Sequence, residues 1–169
     1  MLLPEDVREV VWGLENKMRS WPMKCKFVEK ENLHLNFSFL GEIKEEDVEK
    51  IKKKLNELAK QFSPFKIQLN GIKPIPSKSF VRVLALDVID ESGKGDLLRK
   101  KVVEKIGGDS KPLHVTLCRV KWLDKKNVLE LIESEHVNVS FIVDRIQLIK
   151  SVLRREGPLY SVLHSAQLG

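Results

Sequence analysis

The chain is predicted to be an α+β protein built as two pseudo-symmetric lobes, with antiparallel sheets facing a central cleft and helices on the outer faces. Two observations predict this. The segments Leu33-His34-Leu35-Asn36-Phe37-Ser38 and Leu113-His114-Val115-Thr116-Leu117-Cys118 superpose without a gap. The register runs on beyond them, with Ile43 falling on Leu123, Val48 on Val128 and Ile51 on Leu131. Residues 33–51 and 113–131 therefore read as two copies of one strand-then-helix unit. Elsewhere apolar residues alternate with polar ones over short runs, the period of a half-buried antiparallel strand. No low-complexity stretch separates the copies, so residues 1–169 are expected to form a single bilobal domain.

The elements follow in order. Pro4, with Glu5 and Asp6 behind it, opens a helix whose apolar stripe is Val7, Val10, Val11, Leu14 and Met18, ending near Ser20-Trp21-Pro22. Residues 25–29 form a short strand. The first histidine strand runs from Leu33 to Gly41, where the backbone is free to turn. A helix with the stripe Val48, Ile51, Leu55, Leu58 and Phe62 follows. Phe65, Ile67 and Leu69 alternate with polar residues, as do Val81, Val83 and Ala85 beyond the turn at Pro74 to Lys78, giving two strands. A helix from about Gly95 to Ile106 is broken by Gly107-Gly108-Asp109. The second histidine strand comes next, then a helix from Lys125 to Glu133. One long alternating segment spans Val137 to Leu148, and Gly157-Pro158 separates it from a last strand at Leu159 to Leu168.

Of the 169 residues, 42% are hydrophobic, enough for an ordinary core, and the net charge of +6 favours an anionic partner such as RNA or a nucleotide. The two cysteines, Cys25 and Cys118, and the passage from Met1-Leu2-Leu3 straight into a charged helix predict reduced thiols and a cytoplasmic address. No apolar run approaches the ~20 residues that cross a bilayer, so no membrane association is expected. With no Cys-x-x-Cys, no His-Glu-x-x-His and no acidic cluster at ligand spacing, chemistry with neither metal nor cofactor is predicted.

Imidazole exchanges a proton near neutral pH, so a facing pair supplies an acid and a base together. Alternation puts His34, Asn36 and Ser38 on one face and Leu33, Leu35, Phe37 and Phe39 on the other. In the second copy His114, Thr116 and Cys118 share a face against Leu113, Val115 and Leu117. A lone histidine on a strand is most often a satisfied, half-buried ring; two at equivalent places imply one shared site. Under strict alternation Arg119 points away from that site and reaches a phosphate only if the strand ends or bulges there. Lys111 reads as a solvated loop lysine, Phe39 as core, and His136 and His164 as surface or edge residues. Cys118 has no basic neighbour to lower its pKa and is not read as a nucleophile.

These residues resemble the two-histidine phosphoesterase superfamily, specifically its RNA 2′,3′-cyclic phosphodiesterases, first described as 2′-5′ RNA ligases. His34-Leu35-Asn36-Phe37 and His114-Val115-Thr116-Leu117 stand at the paired His-x-Thr-x motifs. Leu3-Pro4-Glu5-Asp6-Val7-Arg8 looks like the family's opening helix, Glu31-Asn32-Leu33 like its lead-in, and Gly157-Pro158-Leu159-Tyr160 like its closing hairpin. The resemblance implies that His34 is the proton donor to the O3′ leaving group and His114 the proton acceptor for water. It implies a 2′-phosphate product and, with it, reversible 2′-5′ RNA ligation. Asn36, Thr116 and Arg119 would bind phosphate. The implied partner is RNA with 2′,3′-cyclic phosphate ends, or a small cyclic nucleotide, acted on by a monomer.

Two departures stand out. Asn36 replaces the usual threonine, trading a hydroxyl for a carboxamide that still donates to a phosphate oxygen. Only Met1-Leu2-Leu3 remains of an opening strand, which predicts a sheet edge needing cover. The competing readings are a non-catalytic RNA-binding module and a phosphodiesterase for a different small cyclic nucleotide.

Overall fold

The computed structural model describes the whole chain, Met1–Gly169. Four helices, α1 (Glu5–Met18), α2 (Glu45–Ala59), α3 (Lys94–Lys105) and α4 (Lys125–Ser134), accompany seven strands: β1 (Met23–Phe27), β2 (Phe65–Pro76), β3 (Val81–Ile89), β4 (His114–Leu123), β5 (Asn138–Val143), β6 (Arg145–Arg154) and β7 (Gly157–Gln167). One lobe is a five-stranded antiparallel sheet in the order β1-β4-β3-β2-β5, and the other is centred on the β6–β7 hairpin. The architecture is α+β, as predicted. Helices α1 and α4 pack on the large sheet, against β5 and β2 respectively, while α2 lies against the hairpin and α3 against α2.

The helices form where their stripes demand it. Val7, Val11, Leu14 and Met18 of α1 and Ile51, Leu55 and Leu58 of α2 are all buried, and acidic residues occupy both first turns, where they meet the positive end of the helix dipole. In α4 the Asp124 side chain accepts from the Asn127 N–H, closing the N-terminus.

The lobes are unequal, and the difference falls on the first histidine copy. Residues 33–41 do not form the continuous strand expected. The extended segment at 33–35 pairs only with residues 1–3, through Leu3 N–H to Leu33 O (3.1 Å) and Leu35 N–H to Met1 O (2.8 Å). The Leu2 N–H reaches the Gln147 side chain at 2.8 Å, so the opening residues join this segment to β6. A three-residue partner is too short to sustain a ladder, which leaves isolated bridges. The buried Leu33, Leu35 and Phe37 nevertheless keep strand alternation.

The long alternating segment divides at Asp144: β5 ends the large sheet and β6 begins the hairpin. The alternation shifts phase at the change of sheet, from odd positions ending at Val143 to even positions beginning at Ile146, and both strands still present their buried face to the shared core. Phe39, expected in the core, is 66% exposed, its backbone having turned to bond with Asp109.

The two lead-ins cross at one point. Phe39 and Asp109 exchange backbone hydrogen bonds at 2.7 and 2.8 Å, Ser38 Oγ donates to Gly107 O, and Ser110 Oγ donates to Phe37 O. Gly108 sits inside this brace at φ +96°, where a Cβ would overlap Ser38 Oγ and come within 2.8 Å of Phe39 O. Gly108→Ala combines a left-handed backbone with a collision. It is expected to destabilise the protein by about 2–4 kcal/mol, read as a lower midpoint in urea with an unchanged slope.

Candidate active site

The two histidines are held in the same way. His34 Nδ1 lies 2.8 Å from the Asn32 carbonyl oxygen and His114 Nδ1 lies 2.7 Å from the Pro112 carbonyl oxygen, each two residues upstream. A carbonyl can only accept, so Nδ1 donates in both rings and Nε2 is left to act on a ligand. Asn32 is itself fixed: its side chain is buried and donates to Pro158 O at 2.8 Å, tying the lead-in to the start of β7. Pseudo-symmetry thus extends from the sequence to the hydrogen bond that sets each ring.

Both rings are half-buried. His34 has its pKa lowered to about 4, chiefly by burial, against the Asn32 carbonyl, which raises it, and with smaller lowering by the charges of the N-terminus and of His114. The chain's single tyrosine, Tyr160, packs edge-on against His34 with centroids 5.4 Å apart and planes at 69°. Burial raises the Tyr160 pKa, and the Arg119 guanidinium partly offsets this. Tyr160 thus touches His34 of the first motif and lies within the field of Arg119 from the second.

Arg119 reaches this position through a bulge. β3 pairs with β4 as Asp87 with His114 and Ala85 with Thr116, then Leu84 with Cys118 and Val83 with Arg119, skipping Leu117. Consecutive Leu117 and Cys118 are both fully buried. The extra residue shifts the alternation by one, so Arg119 returns to the face carrying His114 and Thr116. Cys118, placed by strict alternation on the polar side, lies in the core instead, beside Cys25 and within the field of Glu15, which together push its thiol far up.

Of the other expected positions, Asn36 is exposed and Thr116 half-buried, each two residues beyond its histidine on the same side of the chain. Lys111 is exposed and pairs loosely with Asp109 at 3.7 Å. His164 Nε2 lies 2.7 Å from Asn56 Oδ1, which gives it a structural partner outside the site. No three His, Cys, Asp or Glu side chains converge at metal-ligand spacing, and no helix is long and apolar enough to cross a membrane.

Tyr160 and Asn32 carried no role in the sequence reading. The signal for both was the pairing of Glu31-Asn32-Leu33 with Gly157-Pro158-Leu159-Tyr160, two distant segments that meet through one carboxamide.

Residues 2–84 match the family described as LigT like Phosphoesterase. The RNA 2′,3′-cyclic phosphodiesterase of Aquifex aeolicus is 35% identical over 85% of this chain and 82% of its own length. That of Methanocaldococcus jannaschii is 33% identical over 95% and 94%. Among solved structures, TT0787 of Thermus thermophilus is 26% identical with a TM-score of 0.74, covering 99% of this chain and 94% of that one. E. coli LigT complexed with phosphate shares the fold at a TM-score of 0.77 and 21% identity, over 98% and 92%.

Proposed function

Because this chain belongs to the LigT-like phosphoesterase family, we propose that it hydrolyses 2′,3′-cyclic phosphate ends of RNA to 2′-phosphomonoesters by paired histidine acid-base catalysis, residues 1–169 acting as one two-lobed unit. The observation that carries this reading is the matched anchoring of His34 and His114, each with Nδ1 tied to a carbonyl and Nε2 left for chemistry. Opening the ring requires a base for water, an acid for the departing ribose oxygen, and donors for the phosphoryl oxygens. His114 Nε2 takes the proton as the water oxygen bonds to phosphorus. The P–O3′ bond breaks, and His34 Nε2 delivers its proton to O3′. The 2′ ester bond survives.

Burial keeps His34 neutral at pH 7. An anionic phosphodiester beside it favours the charged ring and restores the proton that the acid step needs. Thr116, Asn36 and Arg119 are the phosphate donors. The Arg119 guanidinium has the planar fork that suits phosphate, and the bulge at Leu117 turns it to the required face. With a ribose 5′-hydroxyl in place of water as the nucleophile, the same step in the same direction joins two RNA halves through a 2′-5′ linkage, His114 taking the hydroxyl proton while the P–O3′ bond breaks and His34 protonates O3′.

The test is phosphorus NMR of the product formed from a nucleoside 2′,3′-cyclic monophosphate in EDTA. A 2′-phosphate is expected. A 3′-phosphate overturns the assignment of the acid, and binding of RNA without turnover favours the non-catalytic module.

A further inference from the structure

β4 carries a second bulge. β1 pairs with it as Phe27 with Cys118, Lys26 with Arg119 and Cys25 with Val120, then Lys24 with Trp122, so that Lys121 is skipped. The effect repeats that of the first bulge: Trp122 falls on the same face as Arg119, Thr116 and His114. On that face Lys24 sits opposite Trp122 and Lys26 opposite Arg119, all four exposed, with Trp122 61% accessible. Lys24, Lys26 and Arg119 are absent from the chain's ion pairs. Exposing a tryptophan on a sheet face has a cost in water, and the three cations around it select an anionic occupant.

The spacing is regular because the extra residues lie in β4 and not in its partners. Two residues along a strand advance about 6.6 Å. The steps from His114 with Asp87 to Thr116 with Ala85, to Arg119 with Lys26, and to Trp122 with Lys24 are each of that length. Cations tracking a backbone beside an aromatic platform are the means by which proteins hold single-stranded nucleic acid.

We infer that this face of β4 and β1 is a track for the RNA strand that precedes the reacting end: Lys26 and Lys24 contact successive phosphates, and Trp122 stacks on an upstream base. The inference rests on the proposed phosphodiesterase reading, which sets the terminal nucleotide between His34 and His114. It adds that the substrate is an oligonucleotide rather than a mononucleotide.

The experiment compares kcat/KM for a nucleoside 2′,3′-cyclic monophosphate with that for a tetraribonucleotide bearing the same end, alongside anisotropy binding of a labelled tetramer. Trp122→Ala is expected to lower the tetramer value roughly tenfold and leave the monomer value within about twofold, with Trp122→Phe restoring most of the loss. Lys24→Ala lowers tetramer binding a few-fold and flattens its salt dependence by about 0.7 in log-log slope. Equal effects on both substrates, or none on either, overturn the track. A wild-type protein that turns over neither substrate but binds the tetramer through Trp122 and Lys24 retains the track and loses the catalytic reading. Binding indifferent to both residues removes the track whatever the turnover.

Discussion

Replacing either His34 or His114 with alanine is expected to lower kcat/KM for a 2′,3′-cyclic phosphate by about 10² to 10⁴, the range a positioned acid or base contributes. The double replacement is expected to cost little more than either single one, because the two rings serve one transition state and cannot be partitioned. Melting temperature checks that the loss is chemical. Both rings are half-buried on the cleft side of their segments, and each contributes one hydrogen bond to a carbonyl, so the fold is expected to survive their removal. Steady-state kinetics on the four proteins decide the matter. A His34→Ala variant retaining more than a tenth of the activity shows that the leaving oxygen needs no acid from this ring. Losses that multiply in the double variant show two independent roles.

Glu15→Gln is expected to stabilise the protein, and by an amount that depends on pH. Glu15 points into the core from α1, is fully buried, and neither carboxyl oxygen has a partner. Burial pushes its pKa up from 4.5 to about 8, with Arg19 offsetting only part. The folded state therefore holds the proton more tightly than the unfolded chain. The associated stability is full below pH 4.5 and is lost as pH rises toward 8. Glutamine has the same shape and does not titrate. At pH 7 the variant is expected to be more stable by about 3 kcal/mol, a rise in Tm of roughly 6–12 °C for a chain of this size. Near pH 4.5 the two proteins should melt together. A Tm difference that stays constant from pH 4.5 to 8 sinks the explanation, since packing and hydrogen bonding alone carry no such slope.

Repetition made the matched placement of the two histidines legible. His34 and His114 occupy equivalent places in the chain, and their anchoring to Asn32 O and Pro112 O is equivalent too. Helices with regular stripes were legible for the same reason, since burial of one face is a local property of the pattern. What escaped prediction depended on partners far away in sequence. The segment at 33–41 has the alternation of a strand, but a ladder needs a neighbour, and only residues 1–3 provide one. Strict alternation misplaced Cys118 and turned Arg119 away because an inserted residue is visible only in the register of the adjoining strand. Phe39 carries a core side chain on a backbone committed to Asp109. Glu15 sits on the apolar face of α1, between Val11 and Met18, with nothing in its composition to announce a buried acid. The three-residue step from Val143 to Ile146 slips the alternation by one where the chain changes sheets at Asp144, a break the sequence reading passed over.

The bulge at Leu117 gives β4 a lopsided tolerance to changes of length. Excising Leu117 leaves Cys118 opposite Leu84 and Arg119 opposite Val83, so the guanidinium keeps its facing and the core loses one leucine. An added codon beside Leu117 does the reverse. It restores plain alternation by turning Leu117 out into the groove, and it carries Arg119 two residues farther along β3, about 6.6 Å beyond its present place. Shorter relatives can therefore drop that residue and keep the lining of the cleft. Longer ones are expected to carry their extra residues in the 77–80 turn, where no facing depends on the count.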